Sequence, residues 1–132
     1  MLGEFDINTS ERNELIDITD KVQKIVKESS VKEGVCVVYC PHTTAGVTIN
    51  EGADPDVKAD ILAKLSEIVP EDGGYKHAEG NSDAHIKSSL VGASSTVLIK
   101  DNGLILGRWQ AVYFAEFDGP RKRKVIVKII EG

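Results

Sequence analysis

The sequence predicts an α+β fold, a mostly antiparallel strand system with two to three helices, in one domain spanning 1–132. Three stretches lead there. Val35 to Cys40 is a nearly unbroken β-prone run closed by Pro41, which cannot donate to a ladder. Asp54-Pro55 pairs a capping side chain with a first-turn proline and opens an apolar stripe at helical spacing. From Ser94 onward strand-like runs alternate with the turn signals Asp101-Asn102-Gly103 and Asp118-Gly119-Pro120.

In order along the chain, Leu2 to Ile7 and Arg12 to Ile18 read as strands, the second with Ile16 and Ile18 in phase and Leu15 out of it. Thr19 or Asp20 caps a helix carrying Val22, Ile25 and Val26, which ends at Ser29-Ser30. Val35 to Cys40 follows, apolar enough to be covered on both faces. Ala45 to Ile49 is the next strand, so His42 to Thr44 fall in the connection between two strands. The helix after Asp54 carries Val57, Ile61, Leu62, Leu65, Ile68 and Val69 and stops at Pro70. A polar loop with Tyr75 and His77 leads to a short helix capped by Ser82 or Asp83, running through Leu90 to Gly92. Thr96 to Lys100, a long strand from Leu104 to Phe117 bent at Gly107, and Lys124 to Ile130 complete the set. The last strand alternates Val125, Val127 and Ile129 against Ile126, Lys128 and Ile130.

Composition removes several function classes. A formal net charge of −5 gives no general pull toward nucleic acid or acidic lipid, and 5% aromatic residues leave few platforms for stacking bases. No apolar run approaches the roughly 20 residues of a membrane helix. Met1 to Asp6 lacks the basic and apolar regions of a signal peptide, so none is expected. Cys36 and Cys40, the only cysteines, share one side of a predicted strand but sit too far apart to bridge easily. A reduced, cytoplasmic protein is the natural reading.

The chemistry concentrates in Cys40-Pro41-His42-Thr43-Thr44-Ala45-Gly46-Val47-Thr48-Ile49-Asn50-Glu51. His42 joins His77 and His85 as a three-histidine set, a known catalytic zinc arrangement, against the alternative of histidines with ordinary partners. Cys40 is a fourth ligand, a nucleophile or a small buried hydrophobe. Thr43, Thr44 and Thr48 with Gly46 form either an anion cradle or a bulged connection that uses threonine for its β preference. On the strand after Gly107, Gln110, Val112, Phe114, Glu116 and Asp118 share a face, and Trp109, Ala111, Tyr113, Ala115 and Phe117 share the other. A glutamate among Val112 and Phe114 is costly to bury unless paired or protonated. Glu116 is therefore a candidate acid/base or partner of a ligating histidine, or else one half of a salt bridge. Arg121 to Lys124 reads as a solvated turn, or as a place where Arg121 or Arg123 turns inward to meet phosphate.

These stretches resemble the YjbQ-like family in three ordered motifs: 41–51, His77 with Gly80 to His85, and Gly107-Arg108-Trp109-Gln110 leading to Glu116–Arg121. The resemblance implies a two-sheet, mostly antiparallel β-sandwich that assembles as a homotrimer. It implies a divalent metal, zinc first and magnesium second, with His42, His77 and His85 as ligands. Cys40, Gln110 and Glu116 then surround the site as catalytic candidates. Thr43, Thr44, Gly46, Asn81, Lys87 and Arg121 are candidates to bind substrate or phosphate. The activity implied is that of a secondary thiamine-phosphate synthase, which joins hydroxymethylpyrimidine diphosphate to thiazole phosphate and releases pyrophosphate. Three histidines suit zinc and water activation better than magnesium and diphosphate, which favour carboxylate and water ligands. A zinc-dependent hydrolase of a small phosphorylated or acyl substrate is thus the rival enzyme, and a non-catalytic trimer that binds metal or a small molecule is the rival class.

Overall fold

The computed structural model describes residues 1–132 as eight strands and three helices. Strands β1 (Leu2–Asn8), β8 (Lys122–Glu131), β3 (Glu33–Tyr39), β5 (Ser94–Lys100) and β6 (Gly103–Leu104) lie in that order in a five-stranded sheet. A smaller sheet has the order β2 (Glu14–Asp17), β7 (Gln110–Glu116), β4 (Ala45–Glu51). Every pairing is antiparallel. Helix α1 (Thr19–Ser29) closes one side of the space between the sheets, and α2 (Pro55–Ile68) and α3 (Ser82–Val91) cover the smaller sheet. This is an α+β two-sheet sandwich. No helix is long and apolar enough to cross a membrane.

Period-two side-chain alternation builds the layers. On β8, Val125, Val127 and Ile129 point inward, and on β3 Cys36 and Val38 do the same. They meet Val112 and Phe114 from β7, Ala45 and Val47 from β4, and Val22, Ile25 and Val26 from α1 in one core of 17 buried residues. The other face of β7 places Ala111, Tyr113 and Ala115 against the helices, where Leu15, Ala84 and Phe117 join them and Ile61, Leu62 and Leu65 pack from α2. Strand β7 is thus covered on both faces, which explains its continuous apolar run.

The expected elements form, with differences that have local causes. Residues Leu104 to Phe117 are not one bent strand. β6 ends at Leu104 in the large sheet, and β7 begins at Gln110 in the small one, so the segment through Gly107 carries the chain between layers. β2 is only Glu14–Asp17, and both its apolar residues are used, Leu15 toward the helices and Ile16 toward the main core. Asn81, not Ser82 or Asp83, occupies the N-cap position of α3. Strand β3 is covered on one face only, because Val35 and Val37 are half-buried and Tyr39 is exposed on the other. Helix α2 keeps Asp54 as its cap, the side chain accepting from Asp56 N–H at 2.9 Å, but none of its residues is fully buried and Ile68 is exposed.

Phe114 has no exposed surface and sits where the two sheets and the site approach each other. Phe114→Ala is expected to cost about 3–5 kcal/mol of unfolding free energy, measured by chemical denaturation, because the rigid sheets around it cannot collapse into the cavity.

Candidate functional site

The connection between β3 and β4 delivers His42 to one end of the sandwich. It is held from both sides. Cys40 N–H donates to Ala93 O at 2.8 Å, and Ser88 Oγ on α3 donates to Thr43 O at 2.7 Å. Gly46 is needed here for packing: a Cβ would come within 2.5 Å of Gly92 O at the end of α3. Two open depressions that share His42, Thr43 and His85 form a continuous cleft around this loop. One part, about 410 Å³, is lined by Pro41, His42, Thr43, Thr44, Glu79, Asn81, His85, Asp118, Arg121 and Arg123, with no hydrophobic residue among them. That volume lies within the roughly 300–1,000 Å³ range of small-molecule sites, while the wholly polar lining points to a charged, hydrogen-bonding ligand.

Behind the cleft lies a buried ion pair. Glu116 ends β7 with no exposed surface, and Arg123 enters β8 nearly as buried. Glu116 Oε1 accepts from Arg123 Nε at 2.8 Å and Thr9 Oγ1 at 2.8 Å. Glu116 Oε2 accepts from Arg123 Nη2, and the Phe117 and Asp118 N–H groups donate to the same oxygen at 3.0 Å each. Arg123 Nη2 also donates to Thr44 Oγ1 at 2.8 Å. Burial alone would raise the Glu116 pKa, but the hydrogen bonds from Arg123, Asp118 N–H and Thr9, with the Arg123 charge, hold it below the ordinary carboxylate value. Glu116 is therefore an anchored carboxylate with its lone pairs in use, and the acid/base role expected of it does not fit its place behind the cleft.

Anchoring β8 at Arg123 places the next residue's backbone against His42. Lys124 N–H donates to His42 Nε2 at 2.9 Å, and the imidazole stands edge-on to Phe114 with centroids 6.5 Å apart. A ring nitrogen that accepts from a backbone N–H carries no proton, so the neutral tautomer here has its proton on Nδ1. Burial, then the positive charge of Arg123, lowers the His42 pKa, which keeps the ring neutral near pH 7.

The 70–81 loop is fastened by Arg12, which sequence reasoning passed over. Its guanidinium reaches Glu71 at 3.1 Å, Asp83 at 3.1 Å and Asp118 at 3.6 Å, and donates to Gly80 O at 3.4 Å. Asp118 also accepts from Asn81 Nδ2 at 2.9 Å and from Arg121 Nη2 at 3.0 Å, which places Asn81 and Arg121 together on the cleft wall. His77 and His85 meet edge to face with centroids 5.5 Å apart. His77 Nδ1 lies 3.2 Å from Ser82 Oγ.

The structure thus gathers His42, Thr43, Asn81, His85 and Arg121, keeps Thr44 in the cleft wall but bonded to Arg123, and moves four other candidates away. Lys87 is buried on the far side of α3, bonded to Asn13 Oδ1 and Ser66 Oγ at 3.1 Å each and 3.5 Å from Asp83, so it holds helices rather than phosphate. Gln110 begins β7 opposite Glu51, whereas Glu116 at the cleft end lies opposite Ala45, about 20 Å along the strand. Thr44 serves Arg123 from a buried position, and Gly46 packs on Gly92. Cys40 is buried, and desolvation pushes its thiol up to about 11, so it is neither a thiolate ligand nor a ready nucleophile at neutral pH. No three of the His, Cys, Asp and Glu side chains stand together at ligating geometry, and His42 Nε2 is already committed to Lys124. The signal for Arg123 was present in the sequence: extending the inward phase of Ile129, Val127 and Val125 by one more step reaches it.

Glu116→Gln leaves Arg123 charged and buried without its partner, so a loss of roughly 3–5 kcal/mol at pH 7 is expected in denaturant unfolding. A carboxylate with a depressed folded pKa contributes stability above its unfolded value of 4.5 and loses it as pH falls through the lower folded value. The gap between wild type and variant should therefore narrow below about pH 4.5; a gap constant from pH 7 to 3 would contradict the assignment.

A profile of the family described as UPF0047 protein YjbQ-like matches residues 3–132. UPF0047 protein MJ1081 of Methanocaldococcus jannaschii is 57% identical over 98% of this chain and 94% of its own length. UPF0047 protein YugU of Bacillus subtilis is 50% identical over 98% and 99%. Among solved structures, a conserved protein of the family from Clostridium acetobutylicum superposes with a TM-score of 0.95 at 58% identity, covering 96% of this chain and 98% of that one. A YbjQ-like protein from Sulfolobus solfataricus gives a TM-score of 0.96 at 32% identity, covering 100% and 97%. With ordered motifs, fold and near full-length similarity in agreement, the chain belongs to the YjbQ-like UPF0047 family.

Proposed function

We propose that the chain is an enzyme acting on a phosphorylated small molecule, with the secondary thiamine-phosphate synthase reaction as its activity. The observation that carries this reading is the polar part of the cleft, in which Arg121, His42, Thr43, Asn81 and His85 converge. In that reaction a ring nitrogen of the thiazole phosphate forms a bond to the pyrimidine methylene carbon. The carbon–oxygen bond to diphosphate breaks, and pyrophosphate leaves with the electron pair. Catalysis of such a displacement is chiefly a matter of holding two substrates in line and stabilising charge on the departing oxygens. Arg121, exposed on one side and oriented by Asp118, suits a phosphate oxygen, and the Thr43 hydroxyl and the open Nδ1–H of His42 are further donors.

The divalent metal in this proposal is zinc, with magnesium as the second choice. His77 and His85, side by side, are the residues of this chain that would contribute to holding it, one short of the three protein ligands of a catalytic zinc, and His42 serves substrate instead because its Nε2 is taken. When bound, such a metal would supply positive charge to a diphosphate. The homotrimer is also proposed. Its support is the outer face of the five-stranded sheet, where Val35, Val37, Tyr39, Leu98, Ile126 and Ile130 lie on paired strands without a covering layer.

Purified protein supplied with both precursors and metal is expected to form thiamine phosphate. His85→Ala should abolish this, and Arg121→Ala should raise KM by about 10–100-fold, the worth of a charge-assisted phosphate contact. Wild-type protein that releases phosphate or an acid from other substrates but makes no thiamine phosphate would favour the hydrolase instead. Silence in both assays with bound metal would favour a binding protein. Metal content should fall in His77→Ala, and equal content in both proteins would remove His77 from the site. The mass in solution should be three times the 14.3 kDa of one chain, and a monomer would end the trimer proposal.

A further inference from the structure

The Glu116 carboxylate spends both oxygens on Arg123, the Thr9 hydroxyl and the Phe117 and Asp118 N–H groups that frame the cleft, so neither oxygen is offered to a ligand. The consequence is felt one residue on, at Lys124. Its N–H is directed at His42 Nε2, and its side chain is occupied outside the cleft, 3.1 Å from Glu4. His42 makes no other side-chain hydrogen bond, and its Nδ1 is not among the buried polar atoms lacking a partner, so that nitrogen opens to solvent on the cleft side. Beside it lie Thr43 and the Arg121 guanidinium, the latter on a turn whose Asp118 N–H is also held by Glu116.

We infer that Glu116 is a positioning residue that, through Arg123 and the Lys124 N–H, fixes His42 as a neutral Nδ1–H donor, so that the cleft meets an anionic oxygen with a proton rather than with a lone pair. An imidazole free in water exchanges its single proton between the two nitrogens. A backbone donor locked onto Nε2 removes that choice, because two N–H groups facing each other at 2.9 Å would repel. The donor is prepaid in orientation, which is the condition under which hydrogen bonds to developing charge are most effective. The assignment deepens the phosphorylated-substrate reading in naming what His42 presents to the ligand, while the tautomer itself can be read without any turnover.

The test is imidazole ¹⁵N NMR of the full-length, isotopically labelled protein at pH 7, with and without added inorganic pyrophosphate. Wild type should show His42 with its proton on Nδ1 and an unprotonated Nε2, and pyrophosphate should shift the Nδ1–H resonance. Glu116→Gln should move proton population from Nδ1 to Nε2. Thr44→Val, which removes one of the Arg123 anchors while conserving shape, should move it in the same direction and serves as the readout if the first variant does not fold. A wild-type ring protonated on Nε2, or the same tautomer in both variants, would overturn the inference. A His42 signal that ignores pyrophosphate would overturn the donor role. If the tautomer and its response are as stated but no thiamine phosphate forms, only the choice of reaction fails.

Discussion

One buried carboxylate organises this end of the molecule. Glu116 gathers the Thr9 hydroxyl from the end of β1, two backbone N–H groups from the β7–β8 turn, and the Arg123 guanidinium from β8. Arg123 in turn reaches Thr44, two residues beyond His42. A charge in such a place is expensive to desolvate, and it is tolerated because the surrounding donors are matched to it. The same geometry makes the site brittle: segments from both sheets converge on a single side chain, so its loss is shared by all of them.

The sandwich explains why the functional groups collect at this end. β3 belongs to the large sheet and β4 to the small one, so the connection bearing His42 must cross between layers. β7 and β8 make the same crossing through Asp118 to Arg121. Crossings interrupt ladder pairing and free backbone donors, and Lys124 N–H is one that finds an imidazole instead of a neighbouring strand. Helix α3 closes the third side by bonding its Ser88 to the Thr43 carbonyl, while Arg12 ties the His77 loop to both Asp83 and Asp118. Rigid layers with polar crossings at their ends are a general way to hold reactive groups in fixed relation.

Much of the fold was legible because the alternation on β8 and the stripe on α2 are local signals. The change of sheet between Leu104 and Gln110 was not, since the apolar pattern runs on through the crossing and nothing local marks a change of layer. In the site, the His42, Asn81, His85 and Arg121 neighbourhood could be anticipated from the ordered motifs. Lys87 could not be placed, because a lysine on a short helix looks exposed until Asp83, Asn13 and Ser66 surround it. Glu116 illustrates the limit best. Its phase with Val112 and Phe114 announced burial, but only long-range contacts decide whether a buried glutamate is a proton carrier or the anchor of an arginine.

The Glu116–Arg123 pair holds the cleft as one unit, and amide hydrogen exchange tests this most directly. Phe117 and Asp118 N–H bond to Glu116 itself, whereas Arg121 N–H bonds to Thr9 and Lys124 N–H to His42, one step removed. In Glu116→Gln all four amides are predicted to lose protection together, while the Cys36 and Val127 amides in the centre of the large sheet keep theirs. Loss confined to Phe117 and Asp118, with Arg121 and Lys124 as protected as in wild type, would show that the pair is a local bond and not the organiser of the site.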